Sequence, residues 1–144
     1  MSADCIFCHI AARRAEGHYI HQDDRCTAFL DVSPFNPGHT LVVPNKHFAR
    51  LADLPPDVGA HLFSVAVRIS QAIGESPLRS DGFNVFLSDG ECAGQEVSHV
   101  HLHVLPRFEQ DGLHVDLGRD PDRAAPSELA TTASKIAECL RRGA

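Results

Sequence analysis

The chain has no excess of positive charge: 13 Lys and Arg stand against 19 Asp and Glu, a formal net charge of −6. That excludes a general nucleic-acid binder, because nonspecific affinity for a phosphate backbone needs clustered Lys and Arg. Any phosphate recognition must therefore be local. No apolar run is long enough to span a bilayer. The first ten residues, MSADCIFCHI, lack the basic stretch and long apolar stretch of a secretory leader, so a cytoplasmic protein with no membrane partner is expected. There is no internal repeat and no low-complexity tract. Cysteine is scarce and odd in number (Cys5, Cys8, Cys26, Cys92, Cys139), which excludes a small disulfide scaffold and fits a reducing compartment.

What is there suits one globular domain. The 144 residues are 43% hydrophobic and 22% charged, enough to bury a core, and a second domain is not expected. Cys5 to Arg14 reads as a short helix or turn, with Phe7 and Ile10 on one side. YIHQDD and CTAFLDV read as two strands turning through Asp23, Asp24 and Arg25, SPFNPGH as a loop, and HTLVVP as a third, buried strand. From Pro55 to Gly74, Val58, Leu62, Val65, Ile69 and Ile73 recur every three or four positions behind a Pro-Pro-Asp start, which predicts a long helix. FNVFLS and VSHVHLHVLP read as two more strands around the turn-rich DGECAGQE. Arg107 to about Ala125 reads as irregular loop, and Ser127 to Arg142, carrying Leu129, Ile136 and Leu140, as an amphipathic helix. Consecutive strands with short turns and helices outside them predict an α+β domain built on an antiparallel sheet of about five strands.

The informative stretch is GQEVSHVHLHVLPR, Gly94 to Arg107. In a strand, His99, His101 and His103 stand on one face, with Val100, Leu102 and Val104 on the other. Three readings are open. The blandest is a polar strand face whose rings are each satisfied separately. A single metal ion is a second, but residues i and i+4 of a strand lie roughly 13 Å apart. With Zn–N bonds of about 2.0–2.1 Å, one ion cannot take all three rings. The third is covalent catalysis at phosphorus. Neutral imidazole is a good nucleophile near neutral pH, and a partner on its second nitrogen fixes the tautomer. A neighbouring His then contacts phosphate oxygens or moves protons, while backbone N–H groups of the AGQEV turn hold a developing anion.

HVHLHVL, together with FLDVSPFNPGHTLVVPNKH, SDGECAGQEVSHVHLHVLPR and DCIFCHI, resembles the histidine triad (HIT) family of nucleotide hydrolases and transferases over most of residues 4 to 107. The resemblance implies a HIT-like α+β fold and a two-fold homodimer through the long helix and an edge strand. It implies a purine nucleotide as substrate, with His101 taking the nucleoside monophosphate as a covalent intermediate. It places His103 at the α-phosphate, with Gln95, Gly94 and the backbone of Val97 lent by the preceding loop. Asp31 matches the position that binds ribose hydroxyls, and Phe7, Ile10 and Phe29 match an apolar base pocket, although plain core packing explains those three as well. Ser88 and Glu96 depart from the better-known branches: an extra carboxylate beside a phosphoryl group repels it unless Glu96 points away or is protonated.

CIFC by itself is a weak zinc signal. The resemblance to bacterial HIT proteins implies a structural Zn2+ held by Cys5, Cys8, His47 and His99, a set suited to a closed tetrahedral site, with His99 then a brace for His101. His9, His18, His21, His39, His61 and His114 are expected at the surface or in packing. Three functions compete: a nucleoside phosphoramidate hydrolase, a dinucleoside polyphosphate hydrolase with Arg107 as a candidate for the phosphate tail, and a nucleotide-binding regulatory module.

Overall fold

Alternation along the strands sorts the apolar residues onto the two faces of one sheet. In the computed structural model, which describes residues 4–118 and 121–143, five strands lie in the order β1-β2-β3-β5-β4, every neighbouring pair antiparallel. They are β1 (Tyr19–Gln22), β2 (Cys26–Leu30), β3 (Thr40–Pro44), β4 (Gly82–Phe86) and β5 (Leu102–Arg107). One face carries Ala28, Val42, Leu102 and Val104 and meets Leu62, Val65, Ala66, Ile69 and Ile73 of a long helix, α2 (Pro56–Glu75). The other carries Phe29, Leu41 and Val43 and packs against Phe7, Cys8 and Ile10 of a short helix, α1 (Ile6–Ala11). α2 begins with a proline in its first turn, where the missing N–H costs nothing, and its buried residues keep the expected spacing of three and four.

The expected β1–β2 turn forms through Asp23, whose Oδ1 accepts the N–H groups of Arg25 and Cys26 at 2.9 and 2.8 Å. Among the strand boundaries that differ from the sequence reading, two bear on the site. β4 stops at Phe86 rather than Ser88, and β5 starts at Leu102 rather than Val97. Val42 pairs with Leu102, so the same register would set Pro44 opposite Val100, and Pro44 has no N–H to continue the ladder. The Val100 N–H turns instead to the Phe48 carbonyl at 2.7 Å. Of the three triad histidines only His103 lies in regular strand; His99 closes a bend in which its N–H donates to the Val97 carbonyl at 2.8 Å, and His101 immediately precedes the strand.

The chain divides into two compact units, Met1–Leu113 and His114–Ala144. The sheet, α1 and α2 lie in the first. Among its described residues the second contains one helix, α3 (Pro126–Arg142), with Pro126 in its first turn and Arg141 and Arg142 in its last, where they complement the helix dipole. Its Leu129, Ile136 and Leu140 are exposed.

Candidate active site and metal centre

One cross-strand row carries the site. Tyr19 pairs with Phe29, Phe29 with Leu41, Leu41 with His103, and His103 with Phe86, so these side chains line up across all five strands. Phe29, Leu41, His103 and Phe86 line a cavity of about 710 Å³ whose rim is completed by α1 and the loops after β2 and β4. That volume suits a small organic ligand.

His101 and His103 both face this cavity, their ring centroids 4.9 Å apart. His101 is 6% exposed, and its Nδ1 lies 2.7 Å from the His99 carbonyl. A carbonyl only accepts, so Nδ1 carries the proton and Nε2 keeps its lone pair. The Phe7 ring stands edge-on to His101 at 5.1 Å and limits its rotation.

A second chain of hydrogen bonds sets His103. The Phe35 N–H donates to Nδ1 of His39 at 3.3 Å, which leaves the His39 proton on Nε2. That N–H donates to Nδ1 of His103 at 2.9 Å, so His103 presents its own N–H from Nε2. Phe86 stacks on His103 at 4.3 Å with the planes 6° apart. Burial first, then the nearby His101 and His39, lowers the His103 pKa to about 4, with Asp31 opposing. Burial likewise pushes His39 down against the pull of Asp31. Both rings are therefore neutral donors at neutral pH.

His39 was expected at the surface or in packing; it is 1% exposed and part of the cavity wall. Phe86 and Phe35, read only as strand and loop, also line the cavity. The available signal for His39 was its place after Gly38. Gly38 has φ +92°, and a Cβ there would meet Leu78 and Pro106 at 3.2 Å, so the turn that delivers His39 demands glycine.

Asp31, Phe7, Ile10, Phe29, Ser88, Gly94, Glu96 and Val97 all reach the cavity. Asp31 Oδ1 accepts the Ser33 N–H at 2.9 Å and Oδ2 lies 3.9 Å from Nδ1 of His39. Gln95 is the expected residue that the structure places elsewhere. Its Oε1 accepts the Gly90 N–H at 2.7 Å and its Nε2 donates to the Ala49 carbonyl at 3.0 Å. The amide is consumed in shaping the loop, and Gln95 is absent from the cavity wall. Arg107 is likewise committed: it grips Asp111 through Nε at 2.6 Å and Nη2 at 3.0 Å, and it also bonds Asn84 and the Leu113 carbonyl. Neither Lys nor Arg stands among the described residues of the cavity wall, whereas Glu16, Asp31 and Glu96 do.

The residues expected to hold zinc also come together. Cys5, Cys8, His47 and His99 offer donor atoms that all lie within 4.8 Å of one another. Nδ1 of His99 is 3.4 Å from Cys5 Sγ and 3.5 Å from Cys8 Sγ, and Nδ1 of His47 is 3.4 Å from Cys8 Sγ. Zinc–ligand bonds of about 2.1 Å to nitrogen and 2.3 Å to sulfur, set tetrahedrally, require N···S edges of about 3.6 Å. The side chains thus stand at zinc-binding separations. His99 Nε2–H donates to the Pro44 carbonyl at 2.9 Å, leaving Nδ1 unprotonated toward the cysteines. Burial, with His47 and His101, lowers the His99 pKa to about 4 against the Pro44 bond. The donor set fits zinc in both geometry and protonation.

Comparisons with known proteins identify the family of this fold. The HIT domain profile matches residues 12–110. A HIT family protein from Bacillus anthracis superposes with a TM-score of 0.88 at 34% identity, covering 96% of this chain and 99% of that one. A zinc-bound histidine triad protein from Mycobacterium smegmatis gives 0.76 at 43% identity, covering 85% and 87%. Among curated relatives, an adenylylsulfatase of Arabidopsis thaliana is 35% identical over 139 residues, 96% of this chain and 68% of that protein. An adenosine 5'-monophosphoramidase of Saccharomyces cerevisiae is 35% identical over 116 residues, 80% and 70%.

Proposed function

Because the chain belongs to the HIT family, we propose that it is a nucleotide hydrolase that cleaves at the α-phosphate through a nucleotidyl-His101 intermediate and releases a purine nucleoside monophosphate. The observation that carries this is the fixed tautomer of His101, whose Nδ1–H is spent on the His99 carbonyl at 2.7 Å while Nε2 keeps a lone pair. Nε2 attacks phosphorus, the bond to the leaving group breaks, and that group departs with a proton taken up from solvent. Water then cleaves the P–N bond to His101. His103 offers its Nε2–H to a phosphoryl oxygen or the leaving atom. The backbone of Gly94 and Val97 faces the developing anion, Asp31 takes the ribose hydroxyls, and Phe7, Ile10 and Phe29 hold the base.

A phosphoramidate is the favoured substrate. A cavity wall with three carboxylates and neither Lys nor Arg among the described residues suits an amine leaving group, which carries positive charge once protonated. Glu96, which lines the same cavity as Ser88, would attract such an amine and repel a polyphosphate tail. Arg107, the candidate for that tail, is already consumed by Asp111. The relatives named adenylylsulfatase and adenosine 5'-monophosphoramidase also support attack on an adenylyl phosphorus.

Cys5, Cys8, His47 and His99 would hold zinc as a structural ion. Bound there, it supplies no reacting group; it locks His99 beneath His101. We keep the cytoplasmic placement expected from the sequence; no described helix is long and apolar enough to cross a membrane.

The test offers a lysine-linked adenosine phosphoramidate and a diadenosine polyphosphate side by side to the zinc-replete protein and to His101→Ala. Expected are AMP release chiefly from the phosphoramidate and its loss, by at least about a thousandfold, in the variant. AMP binding without turnover of either compound would instead make the chain a nucleotide-binding regulatory module.

A further inference from the structure

A second convergence of metal-binding atoms lies at the β1–β2 turn, and none of its residues belongs to the nucleotide cavity or to the Cys5–Cys8 group. Oδ2 of Asp23 is 2.8 Å from Nε2 of His21 and 2.8 Å from Nε2 of His61. Cys26 Sγ stands 3.7 Å from the same oxygen. His21, Asp23 and Cys26 offer donor atoms that all lie within 4.8 Å of one another. They come from β1, the turn and the first residue of β2, while His61 reaches in from α2.

The arrangement is held before any ion arrives. Asp23 Oδ1 is tied by the Arg25 and Cys26 N–H groups, and the Asp23 carbonyl accepts the Asn45 amide at 2.8 Å. This leaves Oδ2 as the point on which the other three side chains converge. The His21, Asp23 and His61 side chains are 26, 24 and 21% exposed, so an ion can reach them, whereas Cys26 is fully buried beneath.

We propose that His21, Asp23, Cys26 and His61 form a second metal site for a borderline divalent transition ion such as zinc. Two imidazoles, a carboxylate and a thiol suit that ion, and they are the wrong ligands for the oxygen-seeking Mg2+ and Ca2+. Without an ion, both rings donate Nε2–H to Asp23 and the thiol donates S–H. On binding, each ring proton moves to Nδ1 through water and Cys26 loses its proton, so one M2+ taken up releases one H+. The ion would staple the β1–β2 hairpin to α2. This inference is independent of the proposed hydrolase reaction.

The experiment counts zinc by mass spectrometry on full-length protein equilibrated with zinc and desalted, for the wild type, His21→Gln/His61→Gln and Cys8→Ser. Two zinc per wild-type chain, and one in each variant, is the expected result. The His21→Gln/His61→Gln protein should still turn over substrate, and zinc should no longer raise its melting temperature through this site. One zinc in the wild type, kept by His21→Gln/His61→Gln and lost in Cys8→Ser, would overturn the second site. One zinc with the opposite pattern would uphold it and remove the Cys5–Cys8 site instead. Co2+ titration with Cys26→Ser checks the fourth ligand: the thiolate-to-cobalt absorption assigned to this site should vanish, and its persistence would remove Cys26 from the set.

Discussion

His103 and His39 show how a single buried proton acquires a direction. Each ring could carry its proton on either nitrogen; the Phe35 N–H settles His39, and His39 then settles His103. The result is a neutral donor aimed at substrate, at a site where burial discourages an imidazolium. This has a consequence for stability. An unfolded histidine titrates near 6.5, whereas folded His103 titrates near 4. Between those values the unfolded chain binds more protons, so the contribution of His103 to stability is full above about pH 6.5 and is lost as pH falls toward 4. Denaturant titrations across this window should show His103→Gln losing less stability on acidification than the wild type. An equal loss in both proteins would mean that His103 is not held neutral by the fold.

At the scale of elements, the site depends on how strands begin and end. Gly38 turns the chain into β3 with φ +92° and places His39 beneath His103. Gly38→Ala forces a side chain into a left-handed conformation and against Leu78 and Pro106, a cost of about 1–3 kcal/mol. The expected outcome is a lower melting temperature together with a kcat reduced by about ten- to a hundredfold, since the rotated turn also misaligns His39. A variant with lowered stability but unchanged kcat would separate the turn from the chemistry. Pro44 is the other such device. By withholding an N–H opposite Val100 it releases His99 from the ladder, and its carbonyl then accepts the His99 ring N–H at 2.9 Å. One proline thus ends a strand and sets the tautomer of a metal ligand.

At the scale of the whole molecule, no other strand among the described residues pairs with the outer side of edge strand β4, and the outer face of α2 carries exposed apolar side chains. Phe63 and Val67 sit four residues apart on α2 and are 57 and 41% exposed, and Val85 on β4 is 40% exposed. Residues i and i+4 share a helix face, so Phe63 and Val67 form one apolar patch on α2, and an unpaired strand edge such as that of β4 invites another strand. We propose that a second copy covers both, as the family resemblance implies. Light scattering should report a dimer, and Phe63→Asp should convert it to a folded monomer. A wild-type monomer at micromolar concentration would contradict this reading.

Local pattern alone determined much of this protein. The spacing of Val58 to Ile73 marked α2, alternation marked the strands, and HVHLHVL with its flanks pointed to the HIT fold and its chemistry. Those signals were legible because helix and strand periods, and a motif on one segment, act between residues near in sequence. The separation of His99 from His101 and His103 was anticipated in outline, but only the fold decided it. The break at Pro44 turns one imidazole toward Cys5 and Cys8 and leaves two in the cavity. Three-dimensional packing alone likewise withdrew Gln95 into its loop, committed Arg107 to Asp111 and brought His39 beneath His103. His61 meets Asp23 across 38 residues for the same reason: a side chain's partner is chosen by which distant segment packs against it, and no local period encodes that choice.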